Sequence, residues 1–464
     1  MKVAILGGGP AGYVSAVKLA QLGAEVTLIE KEHIGGTCLN EGCMPTKVLL
    51  HTTELYNRLN KDSISLGLHI RDLKLDWSLV KERKDMAVSQ LVDGIKTLLE
   101  TNGIKVIQGE GKFLTRHELE VITANKERLV VAFDKAIIAT GSKPIKIPVA
   151  GADLDGVITS REALSLDSVP ESICIIGGGV VGVEFANIFL NAGSKVTIVE
   201  MLPNILANMD EDVVECLKAE LVGAGAEIHT KAKVEKIEAE GNKLKVIVST
   251  LEGAKEIVAD KVLMATGRRP NTEGLGLERI GVKREKGAIV VDDSMKTSVE
   301  NIYAIGDCNG KVLLAHVASA QGIVAAENIM GKFTPVDFRT IPYCVYTKPE
   351  VAAVGLTEKQ ALEKGYRVKV SKFPLYANGK SVIMGEVNGL VKFVIDQDTD
   401  EILGLSIAGN SATELIHIGA LALRLEATVD EILTTIYAHP TVSEGILEAA
   451  YGVNGHPIHL PATK

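Results

Sequence analysis

The sequence predicts an α/β fold containing two copies of one βαβ unit, and three observations carry that prediction. Val3-Ala4-Ile5-Leu6-Gly7-Gly8-Gly9-Pro10-Ala11-Gly12 and Ile173-Cys174-Ile175-Ile176-Gly177-Gly178-Gly179-Val180-Val181-Gly182 match at an offset of 170 residues. Each copy is a short apolar strand, a G-x-G-x-x-G turn and a helix-period stretch, with Gly23 or Gly193 near the helix end. Each then enters a second strand that closes on a carboxylate, Glu30 or Glu200, at the same spacing from the glycines. One G-x-G-x-x-G is a weak signal, but two complete copies with the acid in register are specific for dinucleotide binding.

The glycines divide the work. Gly7 and Gly177 make the tight turn, and Gly9 and Gly179 let the backbone approach a pyrophosphate seated on the helix N-terminus. Gly12 and Gly182 let helix pack closely on strand, while Glu30 and Glu200 are placed to accept ribose hydroxyls. The expected architecture is therefore two Rossmann-like domains. Ala139-Thr140-Gly141 and Ala265-Thr266-Gly267 each end an apolar run and read as the closing strands of the two domains, with Pro/Gly-rich crossings around 143–151 and 268–276.

Between the two copies lies Gly35-Gly36-Thr37-Cys38-Leu39-Asn40-Glu41-Gly42-Cys43-Met44-Pro45-Thr46-Lys47. Two cysteines five positions apart can hold an electron pair as a disulfide and release it as thiols. Gly42 lets a loop bend back so that the two Cβ atoms meet. Pro45 reads as the opening of a helix that continues from Val48, which sets Cys43 at a helix N-terminus where the macrodipole favours a thiolate. Two structural cysteines that never meet is the bland alternative.

Composition narrows the class. The 464 residues allow about three domains. Hydrophobic content of 46% and charged content of 23% are those of an ordinary globular enzyme, and the net charge of −9 argues against nucleic acid or anionic membrane as partner. Six scattered cysteines do not form a secreted disulfide scaffold. No cysteine or histidine cluster has metal-ligand spacing, so no metal is expected. The stretch Val3–Leu6 runs directly into the glycine turn and reads as a first strand, not a signal peptide. The apolar window near 173–190 is broken by glycines and Glu184, so no membrane span is expected and the chain reads as soluble and cytoplasmic.

Two dinucleotides and a dithiol suggest an electron relay: a nicotinamide at one end, a flavin in the middle, thiols at the other. The dithiol closely follows the first fingerprint, so the first site should hold the flavin. A strand ending in Gly306-Asp307 supports this, with a carboxylate placed for ribityl hydroxyls. Glu200 would repel a 2′-phosphate and no Arg or Lys follows it through Leu206, so NAD is expected at the second site in preference to NADP.

The redox segment, the paired fingerprints, Gly267-Arg268-Arg269-Pro270-Asn271, the Gly306-Asp307 strand and His439-Pro440-Thr441-Val442-Ser443-Glu444 together resemble the flavin-dependent pyridine-nucleotide disulfide oxidoreductases over essentially the whole chain. The resemblance implies FAD and NAD as cofactors, an FAD-binding domain at 1–145 completed by a central part at 269–338, an NAD-binding domain at 146–268, and an α+β interface domain at 339–464 that makes a homodimer. It implies Cys38 as the interchange thiol, Cys43 as the thiol against the flavin, Lys47 paired with Glu184 at the flavin's reactive edge, and Ala315 and His316 in a flavin-lining segment. It also implies that His439 and Glu444 serve the thiols of the other subunit. The match is closest to the branch that oxidises dihydrolipoyl groups, so a lipoylated acyltransferase core of 2-oxoacid dehydrogenase complexes or a lipoylated glycine-cleavage carrier is the expected partner. Another NAD(P)H-dependent flavin disulfide reductase is the alternative.

Two local readings stay open in the sequence. Histidine suits proton transfer near neutrality and Glu444 could orient His439, yet Thr441-Val442-Ser443-Glu444 is also a helix capping box. Glu41 stands where members of the family often carry an apolar residue, and a carboxylate there should disfavour the neighbouring thiolate.

Overall fold

Alternating apolar runs and glycine turns build parallel sheets wherever a helix returns the chain to the same edge. A computed structural model describes residues 1–461. β1 (Lys2–Leu6), α1 (Pro10–Gln21) and β2 (Glu25–Glu30) form the first βαβ unit, with Val3 opposite Val26 in parallel register. Pro10 opens α1 at a position that needs no backbone donor. The first sheet has seven strands, in the order Ile302–Ala304, Lys135–Ile138, β1, β2, Lys105–Thr115, Glu118–Thr123, Arg128–Ala132. Its edge strand Ile302–Ala304 arrives only after the chain has built the second unit.

The second sheet has five parallel strands, in the order Glu227–His229, Lys195–Val199, Ser172–Ile176, Lys261–Met264, Val157–Thr159, with a three-stranded antiparallel meander inserted at 233–259. The runs ending in Ala139-Thr140-Gly141 and Ala265-Thr266-Gly267 lie beside the first strand of their unit, inside the sheet and not at its edge. The two crossings run side by side, because Ser142–Pro144 pairs antiparallel with Arg268–Pro270.

The C-terminal unit is a five-stranded antiparallel sheet, Tyr343–Val345, Glu350–Gly355, Ile402–Gly409, Leu390–Asp396, Val368–Pro374, covered by the helices Ala412–Arg424 and Glu444–Val453. Ile402–Gly409 is buried along its whole length, as the centre of a covered sheet must be. A buried ammonium fastens this unit to the second one: Lys392 Nζ lies 3.0 Å from Asp210, 2.6 Å from Asp212 and 2.8 Å from Glu358. Removing Lys392 alone would strand Asp210 uncompensated, a loss on the order of 3–5 kcal/mol. No helix among the described residues is long and apolar enough to cross a membrane.

Candidate active site

Each glycine turn is forced by its own backbone. Gly7 and Gly177 have φ of 111° and 109°, where an L side chain is strained. A Cβ on Gly12 would fall 1.8 Å from the Gly7 carbonyl oxygen, and one on Gly182 would fall 2.0 Å from that of Gly177. α1 and the helix Val180–Asn191 both start without a side-chain cap or an acidic residue in the first turn, which leaves their N–H groups and positive dipole ends for an anion. The acids of both fingerprints also clamp the turns. Glu30 accepts from Gly8 N at 2.6 Å and Glu32 N at 2.7 Å; Glu200 accepts from Gly178 N at 2.6 Å and Leu202 N at 2.7 Å.

These features fit two dinucleotides, and the first cleft has a further sign of a polar occupant. Gln321 Nε2 is the sole buried side-chain polar atom without a partner among the described residues. Its Oε1 accepts from Gly306 N at 2.7 Å, at the wall that also carries Asp307. Asp307 accepts from Ser142 Oγ at 2.5 Å, and Arg268 Nε donates to the same hydroxyl at 2.7 Å. Burial pushes the Asp307 carboxyl up, against the pull of Ser142 and Arg268.

At the second fingerprint a groove of about 390 Å³ runs between Gly178, Gly179 and Glu200 on one side and Leu313, Leu314 and Val345 on the other. Tyr346, next along from Val345, donates its backbone N–H to Glu184 Oε1 at 3.1 Å. Glu184 in turn receives Lys47 Nζ at 2.8 Å on both oxygens, and the Tyr346 ring lies 4.5 Å beneath that ammonium. The strand that lines the groove through Val345 thus passes, one residue on, to the Lys47–Glu184 pair. The sequence indicated that pair, but nothing in it pointed to Tyr346.

Lys47 stands one helical turn beyond Cys43. The redox segment is more helical than expected: Cys38 lies in a short helix, α2 (Gly36–Glu41), and Cys43 is the first residue of α3 (Cys43–Asp62). Gly42 is thus the bend that joins two helices, and a Cβ there would press to 2.9 Å on the Thr37 carbonyl oxygen. Pro45 sits two residues inside α3, still within the first turn, where its missing N–H costs nothing. Both cysteines are free thiols that hydrogen-bond to each other. The Cys38 thiol is pushed up, first by donating to Cys43 and then by burial. Cys43 is brought down to about 7, chiefly by accepting that bond and with help from Lys47, against burial and the Glu184 charge.

Glu41 corrects an expectation. Its carboxylate is paired with Arg161 Nη2 at 2.7 Å, so it does not stand as a bare charge beside the thiols.

At the other end of the chain, the helix begins at Glu444 itself, with Ser443 as an N-cap that makes no side-chain bond. The expected capping box therefore does not form, and the carboxylate faces the histidine and the preceding turn. One oxygen accepts from His439 Nδ1 at 2.9 Å and the other from Thr441 N at 2.8 Å. Burial pushes Glu444 up, but the Thr441 N–H and His439 outweigh it and hold the carboxyl below its ordinary range. The reciprocal half of the capping box is missing, because Thr441 Oγ1 donates to the Ala438 carbonyl. With Nδ1 anchored, Nε2 points away from the carboxylate, and the His439 side chain is 79% exposed. Within one chain the ring bonds to neither thiol. His316 Nε2 contacts the Pro342 carbonyl at 3.0 Å, and burial depresses its basicity.

The family model of the pyridine nucleotide-disulphide oxidoreductases matches residues 1–322, and the dimerisation domain of the same family matches residues 341–450. Among curated proteins, the mitochondrial dihydrolipoyl dehydrogenase of Pisum sativum is 39% identical over 99% of this chain and 92% of its own length. The dihydrolipoyl dehydrogenase of Bacillus subtilis is also 39% identical, over 99% of this chain and all (100%) of its own. Among solved structures, LpdA of Mycobacterium tuberculosis superposes with a TM-score of 0.90 at 30% identity, covering 97% of this chain and 99% of that one. The HOCl-induced flavoprotein disulfide reductase RclA of Escherichia coli, solved as a Cu(II) complex, gives 0.88 at 31% identity, covering 97% and 98%.

Proposed function

The chain belongs to the pyridine nucleotide-disulphide oxidoreductase family, and within it we propose that it is a dihydrolipoyl dehydrogenase, oxidising dihydrolipoamide to lipoamide with FAD as cofactor and NAD⁺ as acceptor. The observation that carries this reading is the bonded set Tyr346–Glu184–Lys47, one helical turn from Cys43 and one residue along the chain from the wall of the second groove. Bound flavin supplies an acceptor for the electron pair of the dithiol and a hydride donor to the nicotinamide.

The residues have distinct tasks in this reading. Gly7, Gly9, Gly12, Glu30, Thr140, Gly141, Gly306, Asp307, Ala315 and His316 hold the flavin dinucleotide. Gly177, Gly179, Gly182, Glu200 and Gly267 hold NAD. The FAD part is 1–145 with 269–338, the NAD part 146–268 and the interface part 339–464, whose final residues 462–464 lie outside the described residues.

Oxidised, Cys38 and Cys43 form a disulfide. A thiol of the substrate loses its proton to Nε2 of His439 of the partner subunit, and the thiolate attacks Cys38 Sγ. The Cys38–Cys43 bond breaks and leaves Cys43 as a thiolate stabilised by Lys47. The second substrate thiol then displaces Cys38 from the mixed disulfide, closing the lipoamide ring.

Glu444 fixes His439 so that Nε2 faces outward, and it offsets the imidazolium charge. The homodimer covers apolar side chains that one chain leaves bare on the C-terminal unit, among them Val382, Ile383, Leu421 and Ile436. A lipoylated acyltransferase or glycine-cleavage carrier is the physiological donor, and the setting is cytoplasmic, where such thiols stay reduced.

Complementation tests the shared site. His439→Gln and Cys43→Ser homodimers should each lose dihydrolipoamide turnover by roughly 10²-fold or more. Mixed dimers of the two should regain it, because one of their two sites has both an intact dithiol and an intact histidine. Mixed dimers as inactive as the parents would contradict the trans arrangement.

A further inference from the structure

Glu41 is the last residue of α2, three positions after Cys38 and two before Cys43. That spacing brings its side chain within roughly 5–6 Å of the Cys38 side chain on the same helix. Its carboxylate is three-quarters covered, and the cation it meets comes from elsewhere in the fold. Arg161 lies in the one-turn helix Ser160–Ala163, directly after Val157–Thr159 at the edge of the second sheet. Its Nη2 is 2.7 Å from Glu41 Oε1 and 3.7 Å from Glu32 Oε2.

We propose that Arg161 is a positioning residue for the redox centre: by neutralising Glu41 across the two units, it sets the reduction potential of the Cys38–Cys43 couple. This deepens, and rests on, the reading of that pair as redox-active.

The charges around Glu41 are Arg161, Glu32, His33 and Arg268, and the titratable groups around the dithiol are Lys47, Glu184, Arg268 and, beside Cys38, Tyr13. Reduction turns a neutral disulfide into a thiol and a thiolate, so a net negative charge nearby disfavours the reduced form and a net positive charge favours it. Burial holds the Glu41 carboxyl above its ordinary range, with Arg161 as the chief pull back down.

Arg161→Gln leaves a part-buried carboxylate facing the dithiol. The couple becomes harder to reduce and thiolate formation moves to higher pH. Glu41→Gln leaves the guanidinium only the more distant Glu32, at 3.7 Å, and shifts both quantities the other way. The double variant returns close to the parent, and Arg161→Lys keeps the parent behaviour. Because Arg161 is half exposed, each single shift should be no more than about tenfold in the dithiol–disulfide equilibrium, or ~30 mV.

The test is a pH titration of the long-wavelength thiolate–flavin absorbance in the holoenzyme reduced with two electrons of dithionite. It is paired with equilibration against dihydrolipoamide and lipoamide. Opposite shifts in the singles and cancellation in the double support the proposal. Singles that move together or do not move, or a double that stays displaced from the parent, overturn it. A parent holoenzyme with no such band overturns the redox reading itself, and this proposal with it.

Discussion

The two glycine turns are nearly the same object in two different settings. Their φ angles, their carbonyl-to-Cβ clearances and their carboxylate clamps agree to within a few degrees or 0.2 Å. What differs is the cover. Both turns have the following segment folded back on them, Gly35 N donating to Gly8 O and Leu206 N to Gly178 O, each at 2.9 Å. Over the first the redox segment presses closer still, and a Cβ on Gly36 would lie 2.7 Å from Gly9 Cα. Over the second, a Cβ on Gly179 would meet nothing within 4 Å, and an open groove leads away from it. The first turn is thus half-buried beneath the redox segment and suits a cofactor that stays. The other is open and suits one that must exchange on every turnover.

Glycine substitutions should break this comparison most severely. Gly12→Ala drives a methyl into the Gly7 carbonyl beneath the half-buried site and should give protein that retains no flavin on purification, measured by absorbance. Gly182→Ala makes the equivalent clash in the open site. It should leave the protein yellow while NADH binding, measured by calorimetry, weakens by about 100-fold, in line with an overpacking penalty near 3 kcal/mol.

Cys43→Ser sharpens the contrast from the thiol side. Dihydrolipoamide turnover should fall by roughly 10⁴-fold, whereas NADH should still reduce the flavin anaerobically in a stopped-flow trace.

The third effect is a shift in pH. Cys43 titrates at about 7, so the thiolate band should grow as pH rises through 7 and fade below it. Lys47→Met removes a cation that favours the thiolate, which moves the midpoint to higher pH. A midpoint that stays put would show that Lys47 does not act on Cys43.

The smallest effect belongs to Glu200. Glu200→Gln keeps an acceptor for the turn but loses its charge, so the KM for NAD⁺ should rise about tenfold with flavin content unchanged. Discrimination against NADP⁺ should narrow.

The sequence made the repeated units legible because their glycines answer to backbone sterics within ten residues. It also made Lys47 legible as a helix neighbour of Cys43, and His439 with Glu444 as a local pair. Its limit was long-range chemistry. Arg161 meets Glu41, Tyr346 meets both Glu184 and Lys47, and Arg268 meets Ser142 beside Asp307, in each case across more than 100 residues. No local pattern encodes such meetings. The α2 helix was missed for another reason: Gly36, Thr37 and Asn40 are poor helix formers, and packing against the first glycine turn overrides that propensity. Glu444 was a choice between cap and histidine partner in the sequence. The helix starts at Glu444 itself, later than the cap reading needs, which leaves the carboxylate paired with His439.

The central claim is that a retained flavin joined to a dithiol exchanges electrons with an open nicotinamide site. Anaerobic titration of the purified yellow protein with dihydrolipoamide, followed by NAD⁺ or NADP⁺, tests it directly. The account predicts a long-wavelength thiolate–flavin band, then NADH formed on adding NAD⁺ and almost no reaction with NADP⁺. A flavin spectrum indifferent to dihydrolipoamide, or equal oxidation by both nucleotides, would contradict it.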